Sequence, residues 1–429
     1  MWRAGYTLIL WLLLPYVLAR LWWRGRKEPG YRRDIGERFG RYQQAASKPV
    51  IWLHAVSMGE TRAAEPLARA LLERHPDCEI VITQMTATGR DTARQLFGER
   101  AILGYLPYDY PFAVRRFLEH FRPRLGVLME TEIWPNLVRQ CALAGVPLLL
   151  ANARLSEKSA RGYARLAPLA RSALERISAV AAQTEEDAAR LERLGARSVE
   201  VTGNLKFDMA PAAGTEELAR ELRRGFGARR VLLAASTREG EEALLLEALG
   251  RGALPGAIVA IVPRHPQRFD EVAALLERRG LAFVRRSENR ALPPDCNFFL
   301  GDSLGEMGAY CAAADLAFIG GSLLAFGAQN LIEACAAGAP VLIGPSTYNF
   351  AQAAEEAIRR GAALGVRDAG DLVACARRLL ADDQARARMS AAGVSFCAEH
   401  RGATARLLAI CERLLPAPAP AGAPLPVKD

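Results

Sequence analysis

The chain has no Cys-x-x-Cys pair among its eight cysteines, and its five histidines stand singly. Metal-ligand spacing of the zinc type is therefore missing, and no metal is assigned. The cysteines lie mostly in apolar, helix-like stretches, which suits buried free thiols in a reducing compartment better than a disulfide framework. The part beyond the first forty residues also has no dense basic block, although 56 Lys and Arg against 47 Asp and Glu leave a net charge of +9. Dispersed, arginine-heavy charge beside a basic N-terminal flank suits an anionic membrane surface and a phosphorylated substrate, and no nucleic-acid partner is expected. No sequence repeat links the two halves. Low-complexity composition is confined to residues 416–429, rich in Pro and Ala, which are expected to be disordered.

A composition with 51% apolar and 24% charged residues is globular. At 429 residues the chain suits two domains rather than one core. From Tyr6 to Trp23 it is almost uniformly apolar, with Arg20 the single charge. At ~1.5 Å per residue such a helix comes close to the ~30 Å hydrocarbon thickness of a bilayer. Arg24, Arg26 and Lys27 follow at once, whereas only Arg3 precedes. That asymmetry predicts a single N-terminal anchor with the rest on the cytoplasmic side. Basic residues in place of a small-residue cleavage site argue against a signal peptide. A helix lying in the interface, or packed on the protein, is the open alternative.

Short apolar runs alternate with longer amphipathic ones, the pattern of parallel strands with crossover helices. Strands are expected at 50–55, 79–83, 125–129, 147–151, 180–183 and 199–202. A second set is expected at 230–234, 257–262, 281–284, 298–300, 316–319 and 341–343. The turn-rich Asp208–Gly214 separates the sets. The expected organisation is an anchor at 1–27, one domain at 28–208, a second at 209–415, and the tail at 416–429. Each domain is α/β and doubly wound, and ligands are expected in a cleft at the strand C-termini.

Loops that follow strands are where such folds carry chemistry. After the first strand, Ser57-Met-Gly-Glu60 places Glu60 in the first turn of a helix, as a catalytic carboxylate or as a partner of the helix dipole. Glu130-Thr-Glu-Ile-Trp-Pro135 brings two carboxylates off an apolar strand, for catalysis or for a cap and a salt bridge. Lys206 stands at the domain boundary. In the second half, Pro263-Arg-His-Pro266 offers Arg264 to an anion. Gly305-Glu-Met307 turns into a helix, and Gly327-Ala-Gln-Asn-Leu-Ile-Glu333 reads as a helix start behind glycines, a ready phosphate site.

Taken together, these strings resemble the 3-deoxy-D-manno-octulosonic acid (Kdo) transferases of lipopolysaccharide synthesis. The resemblance rests on Leu53-His-Ala-Val-Ser-Met-Gly-Glu60, Tyr105-Leu-Pro-Tyr-Asp109, Glu130–Asn136, Ala151-Asn-Ala-Arg-Leu-Ser156, Gly203-Asn-Leu-Lys-Phe-Asp208, Pro263–Pro266 and Gly344-Pro345, with Arg24-Gly-Arg-Lys27 near the apolar run. It implies a GT-B fold, two Rossmann-like domains facing across a cleft, a CMP-Kdo donor, a lipid A precursor as acceptor, and inversion at the anomeric carbon. By matching position it implies Glu60 as general base and Glu130 and Lys206 as transition-state partners. The CMP contacts it implies are Pro263, Arg264, Gly305, Glu306, Met307, Asn330, Leu331, Ile332 and Glu333, with no cofactor. Gln329 and Leu331 depart from the family pattern, in which His and Pro are frequent. Two rivals are a GT-B transferase of the same membrane using a UDP-sugar, and a non-catalytic binding protein; Glu60 argues against the second.

Overall fold

The computed structural model describes residues 2–250 and 254–415; the tail at 416–429 lies outside the described residues. Two units result, residues 1–209 with 401–429, and residues 210–400.

Seven parallel strands build the sheet of the first unit: β1 (Val50–His54), β2 (Glu79–Gln84), β3 (Ala101–Tyr105), β4 (Pro123–Met129), β5 (Leu148–Ala153), β6 (Ala179–Ala182) and β7 (Val199–Val201). Their order is β3-β2-β1-β4-β5-β6-β7. Successive residues of β1 point to opposite faces: Val50 and Trp52 join one core, Ile51 and Leu53 the other. Helices cover both faces, so the strand reads as an unbroken apolar run instead of an alternating one. The chain leaves β1 toward β2 on one side and later returns to β4 on the other. The ends of β1 and β4 therefore flank a switch point, where doubly wound sheets leave a crevice.

The second unit repeats the principle with β8 (Val231–Thr237), β9 (Ile258–Pro263), β10 (Phe283–Arg285), β11 (Phe298–Leu300), β12 (Leu316–Ile319), β13 (Val341–Ile343) and β14 (Ala363–Gly365), all parallel. The order β10-β11-β9-β8-β12-β13-β14 puts its switch point between β8 and β12. Two edge strands, β3 and β14, were not expected from the sequence. Both are short and contain a glycine, so neither shows the β-branched run that marks a central strand.

Two expectations change. The final helix, Ala403–Leu414, does not continue the second unit. It packs on the helix Met58–Arg74 and on β5, burying Ala403, Leu407, Ile410 and Cys411 in a core of the first unit. Asp208 fixes its start by accepting from the backbone N–H groups of Gly402 (2.7 Å) and Thr404 (2.6 Å).

The N-terminal helix, Trp2–Lys27, is long and apolar enough to cross a membrane and is almost wholly exposed. It is not a separate anchor domain, because side chains of the first unit grip it at both ends. Asn136 bonds Thr7 (3.0 Å) and Arg3 (3.2 Å), Tyr110 donates to the Leu10 carbonyl (2.7 Å), and Arg24 donates to Tyr31 (2.8 Å). From Arg3 to Arg24 is roughly 32 Å at helical rise. A helix held to one unit at both ends over that length runs along its surface while keeping its apolar side chains exposed.

Candidate active site

Glu60 stands at the third position of the helix Met58–Arg74, whose N-cap is Ser57. The Ser57 hydroxyl accepts from the Glu60 N–H (3.4 Å) and donates to the carboxylate (2.9 Å), while the Val56 N–H donates to the other oxygen (2.8 Å). This is a capping box with its return bond moved one residue back, to Val56, and it fixes the carboxylate at the end of β1. Burial, then the negative charge of Glu130, push its pKa up to about 7 against those two hydrogen bonds. A carboxylic acid in that range is proton-bound or proton-free with equal ease at neutral pH.

Glu130 leaves β4 with a positive φ of 55°, an uncommon conformation for a residue with a Cβ. Its N–H is held by the Ala151 carbonyl (2.9 Å), so the turn is enforced by β5. Its carboxylate lies 3.9 Å from the Lys206 ammonium. Lys206 is carried by a one-turn helix, Leu205–Asp208, that is pinned to β5 where the Asn152 side chain accepts from the Leu205 N–H (3.0 Å). Burial and the charge of Arg154 hold the Lys206 pKa below its ordinary value, opposed by Glu130 and Glu60. Glu132 accepts from the Trp134 indole at 2.5 Å, and burial raises its pKa. The tertiary structure thus gathers Glu60, Glu130 and Lys206 at the switch point of the first sheet. They form two carboxylates and one ammonium whose charges act on one another.

Two residues of this site escaped the reading of loops. Asn152, also at positive φ (54°), positions Lys206. Asp109, fully buried, accepts from the Asn136 (3.0 Å) and Leu137 (2.7 Å) N–H groups. It caps the helix Pro135–Leu143, whose own N-cap residue Trp134 makes no side-chain cap bond. Both lie inside strings quoted above for the resemblance, but no local pattern announces a cap supplied from 27 residues away.

In the second unit, the ends of β8, β9, β11 and β12 carry the other candidates. Pro263 closes β9 and is buried; the Arg264 N–H bonds the Thr237 carbonyl (3.0 Å), which sets it beside the end of β8. Gly305 has φ 82° and leads into the helix Met307–Ala313. The Glu306 carboxylate is occupied internally by Ser303 (2.6 Å), Tyr310 (3.2 Å) and Arg286 (3.2 Å), which leaves this turn its backbone for a ligand. The Glu333 carboxylate lies beside Gly308, 3.4 Å from where a Cβ would stand. The turn at 305–307 and Glu333 are therefore neighbours.

Part of the expectation for 327–333 needs correction. The helix begins only at Ile332 and spans five residues, Ile332–Ala336, because 328 and 329 are tied back to the sheet end by bonds to the Gly321 (2.8 Å) and Gly320 (2.9 Å) carbonyls. Asn330 caps it by accepting from the Ile332 N–H (3.1 Å). Leu331 and Ile332 are buried, so only their backbones remain for a nucleotide.

A buried carboxylate that reads in sequence as plain surface charge organises these loops. Glu241 accepts from the N–H groups of Gly321 (2.6 Å), Arg238 (2.9 Å) and Leu323 (3.0 Å) and so ties the β8 loop to the β12 loop. Beside it, Glu242 receives Arg268 through two bonds (2.7 and 3.1 Å). Gly320 is required at the contact, as a Cβ there would stand 2.4 Å from the Ser236 carbonyl oxygen.

Residues 33–209 match the family model described as 3-Deoxy-D-manno-octulosonic-acid transferase (kdotransferase). The 3-deoxy-D-manno-octulosonic acid transferase of Bordetella pertussis is 46% identical over 95% of this chain and 98% of its own length. The enzyme of the same name from Haemophilus influenzae is 36% identical over 95% and 97%. Among solved structures, UDP-GlcNAc 2-epimerase from Neisseria meningitidis superposes with a TM-score of 0.60 at 15% identity, covering 85% of this chain and all of that one (100%). At that identity the likeness is one of fold, two parallel-sheet α/β domains of the GT-B kind. With two relatives matched over nearly their whole length, the chain belongs to the 3-deoxy-D-manno-octulosonic acid transferases and is a glycosyltransferase.

Proposed function

We propose that the chain transfers Kdo from CMP-Kdo to a lipid A precursor, a tetra-acylated disaccharide bisphosphate, with inversion and without a metal. The observation that carries this reading is Glu60, a half-buried carboxylate at the switch point whose pKa lies at about 7. A sugar hydroxyl is a poor nucleophile, so a carboxylate takes its proton as the new C–O bond forms at the anomeric carbon. The bond from that carbon to the CMP phosphate breaks, and CMP leaves with the electron pair. Glu130 favours the positive charge that develops on the sugar, and Lys206 and Arg264 offset the charge on the leaving phosphate. The second unit holds CMP through Pro263, Arg264, the backbone at 305–307, and 330–333, with Glu333 accepting from the ribose.

The apolar N-terminal helix and its basic flank support a place at the cytoplasmic face of the inner membrane. The test is to incubate the purified chain with the acylated disaccharide and either CMP-Kdo or UDP-sugars, and to weigh the product. A mass increase of Kdo with CMP-Kdo alone, undiminished in excess EDTA, is expected. Transfer from a UDP-sugar would favour the rival transferase, and chelator-sensitive transfer would overturn the metal-free mechanism.

A further inference from the structure

Apart from the candidate catalytic and nucleotide-binding residues, a cavity of about 260 Å³ opens beside the start of the N-terminal helix. Trp2 and Arg3 of that helix line it, together with Pro135 and Arg139 of the helix Pro135–Leu143, and Leu169 and Arg176. Liquid water takes about 30 Å³ per molecule, so there is room for roughly eight water-sized groups.

Three guanidinium groups converge here, and none forms an ion pair with any described residue. Arg3 donates to the neutral Asn136 side chain (3.2 Å), and Arg176 donates to the Ser172 hydroxyl (2.8 Å) and carbonyl. Arg139 makes neither a hydrogen bond nor an ion pair to the described residues. Other arginines of the chain are paired with carboxylates, such as Arg90 with Asp34 and Glu37, or Arg230 with Asp315 and Asp383. Three like charges around one concavity repel unless an anion sits among them, and a planar guanidinium matches a phosphate through two hydrogen bonds.

Apart from Ser172, the remaining wall is apolar, with Trp2, Pro135 and Leu169 in it. The helix that forms one side exposes Leu8, Ile9, Leu12, Leu13 and Tyr16, each at least 46%. A cationic pocket continuous with an exposed apolar helix complements a molecule with a phosphate at one end and acyl chains at the other. We propose that this cavity binds the phosphorylated headgroup of a membrane amphiphile, with Arg3, Arg139 and Arg176 on the phosphate and the acyl chains along the N-terminal helix. Pro135 closes the Glu130–Trp134 loop, so a headgroup held here sits at the root of the segment that carries Glu130.

The test uses the full chain and a double variant, Arg139→Gln with Arg176→Gln, titrated calorimetrically with dihexanoyl phosphatidic acid, dihexanoyl phosphatidylcholine and inorganic phosphate. The wild type should bind the phosphatidic acid saturably, and at least about tenfold more tightly than either other probe; the double variant should lose about tenfold or more at unchanged melting temperature. No saturable binding, equal affinity for inorganic phosphate, or an unaffected variant would each overturn the proposal.

A second arm, which rests on the transfer reading above, identifies the source of the phosphate. A raised KM for the bisphosphorylated acceptor in lipid-free detergent, with kcat kept, assigns the site to the acceptor. An unchanged KM together with weaker binding to phosphatidylglycerol vesicles assigns it to bulk anionic lipid. Failure of transfer in the wild type would refute the reaction and leave the calorimetric arm standing.

Discussion

Glu60 is held by two hydrogen bonds that favour its charged form, yet burial and the field of Glu130 outweigh them. The sign of that balance has consequences for both rate and stability. A base must be proton-free to act, so the acidic limb of kcat/KM should bend near pH 7 and not near the usual carboxylate range; a pH–rate profile checks this. Glu60→Gln keeps the shape but cannot take a proton, and kcat should fall by at least about a hundredfold with CMP binding unchanged. A raised folded pKa means that the ionised carboxylate costs stability, a cost absent below its unfolded pKa and complete above about 7. Glu60→Gln should therefore melt no lower than wild type at pH 8, and any advantage should shrink toward pH 5. Retention of more than about a tenth of turnover would make Glu60 a capping residue only and turn attention to Glu130 and Glu132.

Elements owe their positions here to partners far along the chain. The helix Pro135–Leu143 starts without a cap of its own and borrows Asp109. Asp109→Ala would leave two N–H groups without an acceptor in a buried place. The expected cost is about 2–3 kcal/mol in a denaturant melt, with loss of transfer through displacement of the preceding Glu130 loop.

The N-terminal helix was legible from its apolar run and its basic flank, but its docking was not. Thr7, Asn136, Tyr110 and Arg24 contribute bonds that no hydropathy profile contains. Trp11 also lies against Tyr110 and Phe112, at 5.0 and 5.7 Å between ring centroids. Deleting residues 2–26 should accordingly release the protein from membranes and lower its melting temperature by roughly 5–10 °C. An unchanged melt would mean that the helix is a mere appendage.

At the scale of the molecule, the two units differ in how the chain builds them. The second is continuous, residues 210–400, whereas the first is completed by a helix from the far end of the sequence. Residues 210–400 expressed alone should melt cooperatively. Residues 1–209 alone should expose the apolar face that Leu407, Ile410 and Cys411 cover, bind a hydrophobic dye and melt without a sharp transition. Joining 401–415 to the shorter piece should restore cooperativity. A sharp melt of 1–209 by itself would show that this helix contributes little to the core.

Alternating apolar runs and amphipathic helices, read from the sequence alone, determined two parallel-sheet units, because buried strand composition and helical period are local properties. The same local reading determined where chemistry was to be sought, since loops after strands in such sheets converge on switch points whatever the details. Tertiary structure alone decided which of those residues meet: Glu60 with Glu130 and Lys206, and Glu333 with the turn at 305–307. It also turned Leu331 and Ile332 into the core, gave Asp109 and Glu241 their structural tasks, laid the first helix along the protein, and returned the last helix to the first unit. Each of these depends on groups distant in sequence sharing a hydrogen bond, a charge or a buried surface, and local periodicity carries no record of such partners.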